Sequence, residues 1–408
     1  RVIARVGRWD RDLEDGDAFA PISNIDGLEC DRQCTAVGEV CIDYGADIAS
    51  QLYTPLPALS STSRMTSEEC SNSIARLFGI EYGWVFRENC AAKSGTIKQS
   101  DWVFVANAAF DVTEPYGMRR YFPNHPSGYP PTVTVAEFLT TQPKTHRLLE
   151  TSFAWLWLFN NWFADYPDGY ILRANFQIHK RGVSGIFETA NIDIADTNDT
   201  GGTNSTSFDM AVNFNVSPGW VFDNMTGLTA DQVEYYDVNV TGFDPSGEEQ
   251  LFVATETLRF YPVHGCADDT DLYFLTPAVG IATQVVTVKS RKVQKEGNEV
   301  NLLIPCQTGR VARAKYGGRT MTAIRAYEVV EIAITGASGA ATEKWFREIR
   351  QSPQHWLRVT DPFGGYVARK LIIDQSSVTI AVNGEGIDFA ATGYFADIPV
   401  QPGNEPPQ

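Results

Sequence analysis

Along most of this chain apolar and polar side chains alternate with a period of two, the spacing of a strand with one buried and one solvated face. β-Branched and aromatic residues fill these stretches, as in Ile80 to Phe86 (IEYGWVF), Trp102 to Ala106 (WVFVA) and Tyr170 to His179 (YILRANFQIH). Ile186 to Ile194, Phe208 to Val216, Asp237 to Gly242 and Glu256 to Val263 read the same way. In the last third the pattern predicts strands at Asp271 to Leu275, Gln284 to Ser290, Val300 to Pro305 and Tyr327 to Thr335. Further strands are expected at His355 to Val359, Tyr366 to Ile373, Val378 to Val382 and Ile387 to Phe395. The period changes once with clarity. Over Thr342 to Gln351 (TEKWFREIRQ), Trp345, Phe346 and Ile349 share one helical face, and Lys344, Arg347 and Arg350 the other. Thr342 is the expected cap, and Ser352-Pro353 the expected stop, because proline cannot continue a helix.

These elements predict a mainly β protein of two or three β-sandwich-like domains, the last with one helix packed on an antiparallel sheet. At 408 residues the chain exceeds one ordinary core. A Ser/Thr-rich linker (Leu59 to Ser73) closes an N-terminal segment, residues 1–75. Residues 76–265 read as β domain or domains with long polar loops, including Asn124 to Thr132 and Asn198 to Ser207. Residues 266–400 read as the C-terminal β domain, and 401–408 (QPGNEPPQ) as a disordered tail. The most apolar run, Phe153 to Phe163 (FAWLWLFNNWF), falls short of the about 18 residues of a membrane helix and reads as a buried strand or packed helix. The Arg1 start, without Met or signal pattern, points to a trimmed or processed beginning.

Charge narrows the partners. Fifty acidic against 33 basic residues give a net −17, and no cluster of Lys and Arg stands out, which argues against nucleic acid as the primary ligand. The acidic surface predicts assembly through apolar and backbone contacts that tolerates high salt. Seven cysteines leave at least one unpaired; free thiols, one or two disulfides and a metal all stay open for Cys30, Cys34, Cys41, Cys70, Cys90, Cys266 and Cys306. No nucleotide loop, zinc-protease motif or nucleophile elbow is present. His264 with Cys266 offers two ligands at most, and His355 reads as a packed edge histidine. Asp268, Asp269 and Asp271, and Asp193 with Asp196, read as solvated acidic turns rather than calcium loops, lacking the glycine and terminal glutamate. No catalytic, cofactor-binding or metal residue is assigned, no cofactor is implied, and the expected work is assembly, not catalysis.

Four stretches carry a resemblance: FLTTQP (Phe138 to Pro143), Asn107 to Ala109 within FVANAAF, DLYFL (Asp271 to Leu275) and EKWFREIRQSPQHWL. They resemble tail or baseplate structural proteins of Bacteroidetes phages and prophages, of the distal-tail or tail-ring type. In those, a strand leads to a helix with a central Trp, then a "SPQ" strand, a strand pair and a last aromatic strand, matched here by Tyr327 to Thr335, Thr342 to Gln351, Ser352 to Leu357, Lys370 to Val382 and Ile387 to Phe395. The likeness is clearest over the last 140 or so residues. Pro277-Ala278-Val279-Gly280 departs from the family's Gly-Gly-aromatic-Asp turn. The resemblance implies a virion subunit beside neighbouring tail proteins, expected in a homo-oligomeric ring; no membrane span is expected, because no apolar run is long enough for one. The alternative is a secreted or cell-surface β-sandwich glycoprotein, an adhesin or filament subunit, favoured by sequons at Asn198, Asn204, Asn215, Asn224 and Asn239 and by the early cysteines.

Overall fold

The computed structural model describes residues 2–9, 19–21, 48, 52–59, 74–88, 91–94, 98–99, 103–106, 121, 136–159, 170–196, 211–253, 255–304, 315–337, 340–361, 364–383 and 386–395. The polar loops at Asn124 to Thr132 and Asn198 to Ser207, the Ser/Thr linker beyond Leu59, the tail 401–408, the sequons at Asn198 and Asn204 and every cysteine but Cys266 lie outside these residues. Among the described residues, Cys266 is an exposed free thiol.

The mainly β expectation holds. The first sheet is built on β3 (Ala75–Glu88), which pairs with β1 (Val2–Trp9) and, further along, with β4 (Ala91–Ser94), β5 (Lys98–Gln99) and β6 (Val103–Ala106); β1 also carries β2 (Phe19–Pro21). The second sheet runs β10 (Glu188–Asp196), β9 (Ile171–Lys180), β12 (Val233–Phe243), β14 (Leu258–Val263), β7 (Thr145–Leu149), with β13 (Gln250–Val253) beside β12. Its β14–β7 pair is parallel. Facing it is a two-stranded ladder of β8 (Trp155–Phe159) and β11 (Ala211–Asn215).

The apolar run WLWLF is thus a strand, and alternation explains why every residue of it is buried. Leu156 and Leu158 enter the core of the second sheet with Phe176, Phe214, Tyr236 and Phe260. Trp155, Trp157 and Phe159 enter a different core with Tyr273, Leu275 and Ile281. One strand cements two layers because both of its faces are apolar.

The third sheet closes on itself. β15 (Asp269–Leu275) pairs with β16 (Ile281–Ile304) and β18 (His355–Thr360); β16 pairs with β17 (Lys315–Ala337); β18 with β19 (Tyr366–Ile373); and β19 with β21 (Gly386–Phe395), which returns to β17. Six antiparallel strands therefore make a closed barrel. β20 (Thr379–Asn383) continues the line of β19 along β21. The helix α1 (Ala340–Gln351) joins β17 to β18. Trp345, Phe346 and Ile349 are buried in the barrel core, the Trp345 ring 4.8 Å from Phe274 and Phe346 5.5 Å from Phe389. Lys344, Arg347 and Arg350 are exposed, as the helical pattern requires. Thr342 is not the cap: α1 begins at Ala340, which puts Thr342 in the first turn, buried. The stop is as read, with Ser352 donating its backbone N–H to Glu348 before Pro353.

Candidate assembly interface

Two features of this chain go beyond ordinary core packing. The first is the seam between the second sheet and the barrel. Asp271 and Arg358 lie at its centre, an ion pair of 3.1 Å with both side chains out of water. The Ser152 hydroxyl donates to Asp271 Oδ1 at 2.6 Å, the Phe153 N–H and the Tyr273 hydroxyl donate to Oδ2, and the Arg358 guanidinium donates to the Thr151 carbonyl and stacks on Tyr366. Burial pushes the Asp271 carboxyl up, and Arg358 with these donors pulls it back. Asp271 is therefore not part of a solvated acidic turn, as its ADDTD surroundings predicted. Asp268 stays outside the network, and Asp269 accepts hydrogen bonds from the Cys266 N–H and the Thr287 hydroxyl.

His146 of β7 fills the same seam. Its Nε2 lies 2.7 Å from the Thr283 carbonyl, its ring meets Phe260 and Trp345 edge-on, and burial pulls its pKa down to about 4. FLTTQP crosses the seam beside it. The Leu139 N–H donates to the Trp157 carbonyl, the Leu139 carbonyl accepts from the Gly280 N–H, and the Thr141 hydroxyl reaches Glu348 on α1. The Pro277 to Gly280 departure settles as a tight turn closed by Thr276: Val279 adopts φ of 84°, and a Cβ on Gly280 would lie 2.2 Å from the Leu139 carbonyl. Glycine is required at the crossing.

The second feature is a projecting ribbon. β21 pairs with β17 from Val329 to Ala337, and β15 with β16 from Ile281 to Thr287. Beyond those limits, among the described residues, only the β16–β17 ladder continues, from the Val293–Glu328 pair to the Ile304–Lys315 pair. Twelve residues of β16 at about 3.3 Å each carry it about 40 Å past the barrel. The two strands predicted at Gln284 to Ser290 and Val300 to Pro305 are one continuous strand of 24 residues. The expectation of unclustered basic residues also needs correction. From Lys289 to Arg325 the sequence holds nine of its 33 basic residues and two of its 50 acidic ones, a net +7 stretch in a −17 chain.

The remaining candidate residues separate. His264 pairs with Glu150 at 2.9 Å in an open cleft of about 770 Å³ that Cys266 also lines. Among the described residues no group of three His, Cys, Asp or Glu could hold a metal ion. His355 is not at an edge: β18 is flanked by β15 and β19, and buried His355 bonds the Ile349 carbonyl at 2.6 Å, capping the end of α1, with burial pulling its pKa down. Asp193 is held by Arg173 at 2.7 Å. Of the sequons, Asn215 is buried in the β8–β11 ladder, Asn239 bonds Asn175, and Asn224 is exposed. Among the described residues no helix is long and apolar enough to cross a membrane.

No family model matches the chain, and no curated protein matches it. Among solved structures, a chain of the tail of an empty gene transfer agent particle, refined with helical C6 symmetry, matches at 15% identity and a TM-score of 0.21, covering 33% of this chain and 96% of that one. A chain of the virion of a native gene transfer agent particle matches at 15% identity and a TM-score of 0.19, covering 33% and 95%.

Proposed function

We infer that this chain is a structural subunit of a phage-like tail, of the distal-tail, baseplate or tail-ring kind found in phages and prophages of Bacteroidetes, and that it works by assembly rather than catalysis. The observation that carries this reading is the β16–β17 ribbon. A two-stranded ribbon of about 40 Å has too little buried surface to hold its shape alone in water. Among the described residues no strand pairs with its outer edges, and such edges are the usual template for a neighbouring chain. Among the described residues the other edges of the barrel sheet, at β20 and at Tyr366 to Lys370 of β19, are five residues long each. A rigid body with one long arm suits a head-to-tail contact, which generates a ring when its rotation closes. The sequence resemblance over EKWFREIRQSPQHWL supports the same reading. The surface-glycoprotein alternative loses Asn215 as a glycan acceptor, since a buried strand residue cannot be reached.

Mass photometry and cryo-imaging of the purified chain test the proposal. A closed ring is expected, six-fold-related in number, burying more than about 1,000 Å² per interface. A strictly monomeric particle at every concentration and salt would reject it.

A further inference from the structure

The turn that starts β16 is strained. Thr276 to Gly280 join β15 to β16, with the Val279 N–H on the Thr276 carbonyl at 3.1 Å and the Thr276 N–H on the Gly280 carbonyl at 2.9 Å. Val279 takes φ of 84° to close it, and among the described residues it is the one non-glycine at positive φ. A β-branched side chain suits this region badly, because it crowds the backbone on both sides. Val279 is fully buried in a core shared with Leu139, Trp157 and Tyr273, and that packing holds it there.

The surroundings carry a second fault of a different kind. A Cβ on Gly280 would lie 3.0 Å from Trp157 Cδ1, so the edge of the indole lies against the turn. The next atom of that ring, Nε1, is a buried donor with no acceptor among the described residues. Backbone strain and an unanswered buried donor each raise the energy of the folded chain. Such faults gather at switch regions and ligand clamps.

The position of the turn points to the event that uses it. Ile281, the residue after Gly280, opens β16, and the same strand runs on to Ile304 in the projecting ribbon. On its other side the turn grips the segment that crosses from the second sheet, through the Gly280 N–H on the Leu139 carbonyl at 3.2 Å. One strand therefore links the strained turn, and with it the seam, to the surface given above to a neighbouring chain.

We propose that the Thr276–Gly280 turn is a strained latch between sheet and barrel, released when the β16–β17 ribbon docks on a second copy of this chain. This rests on the tail-subunit reading and names how that contact is regulated. The free subunit holds the latch closed against the strain. Docking lets Val279 return to negative φ and parts Gly280 from Leu139, so the strain favours the assembled state.

Two variants that both lose the valine side chain separate strain from packing. At ordinary φ glycine is less stable than alanine, and at φ of 84° the order reverses. Urea titration of the free subunit should therefore find Val279→Gly more stable than Val279→Ala by about tenfold in the unfolding equilibrium constant. Assembly, read by mass photometry of the full chain, should run the other way, with Val279→Gly weaker than Val279→Ala by about tenfold. Hydrogen exchange on the wild type needs no variant to fold: in the assembled particle the Val279 and Gly280 amides should exchange faster than in the free subunit, while those of β15 stay protected. Equal assembly of the two variants, or unchanged exchange at these two amides, overturns the latch and leaves the tail-subunit reading standing. A Val279→Gly subunit no more stable than Val279→Ala overturns the strain itself. A wild-type monomer in every condition overturns both readings.

Discussion

At the scale of single residues, the seam between barrel and sheet concentrates the stability risk. Arg358 and Asp271 are both out of water, so removing one leaves the other charge buried and unpaired. Arg358→Met should cost about 3–5 kcal/mol, whereas the double change to apolar residues should recover much of that loss. Urea titrations of the single and double variants check this, and a single variant within about 1 kcal/mol of wild type would contradict it. His146 gives the seam a pH response. Its folded pKa of about 4 lies below its ordinary value of 6.5, so the unfolded chain binds the proton more tightly. The stability it protects is complete above pH 6.5 and drains away as pH falls toward 4, by up to about 3 kcal/mol. Denaturation midpoints at pH 7 and 4.5 should diverge more in wild type than in His146→Gln. Neither residue was legible in the sequence. Asp271 sits in an acidic run that reads as a solvated turn, and its partner lies far along the chain.

At the scale of elements, the sequence was most legible where one face is buried. The stretch from Thr342 to Gln351 reads as α1 because its apolar positions recur at helical spacing, and burial of Trp345, Phe346 and Ile349 follows from that. Trp345 also donates Nε1–H to Gln284 at 2.8 Å. Trp345→Ala should therefore cost about 3–5 kcal/mol, read from the shift in thermal or urea midpoint. A cost below about 1 kcal/mol would mean the ring is not part of the barrel core. The strands of the barrel were found for the same reason, since each alternates toward a shared interior. The part of the ribbon from Arg291 to Glu299 was missed because its sequence offers no apolar face. RKVQKEGNE, from Arg291 to Glu299, is polar on both faces, so no period of two survives to announce a strand. Barrel closure was invisible for another reason: the β17–β21 pairing joins segments with a helix and three strands between them.

At the scale of the whole molecule, the fold separates what stabilises the subunit from what joins it to others. Every barrel strand keeps its neighbours without the ribbon, because β16 pairs with β15 up to Thr287 and β17 with β21 from Val329. Glu328, at the root of the ribbon, holds Arg369 at 2.9 Å and also pairs with Arg291, so a cut should leave it in place. Val293 and Glu328 face each other across the ladder, the geometry a two-residue turn needs. Replacing residues 294–327 with Asn-Gly should close a type I′ hairpin there, since both residues tolerate the positive φ that such a turn demands. The shortened chain should keep its melting temperature to within a few degrees, because an isolated two-stranded ladder is marginally stable and adds little to the body that carries it. It should lose assembly altogether. Calorimetry and mass photometry on the same preparation read both outcomes. A shortened chain that melts far lower would make the ribbon part of the fold, and one that still forms rings would return the subunit contact to the body.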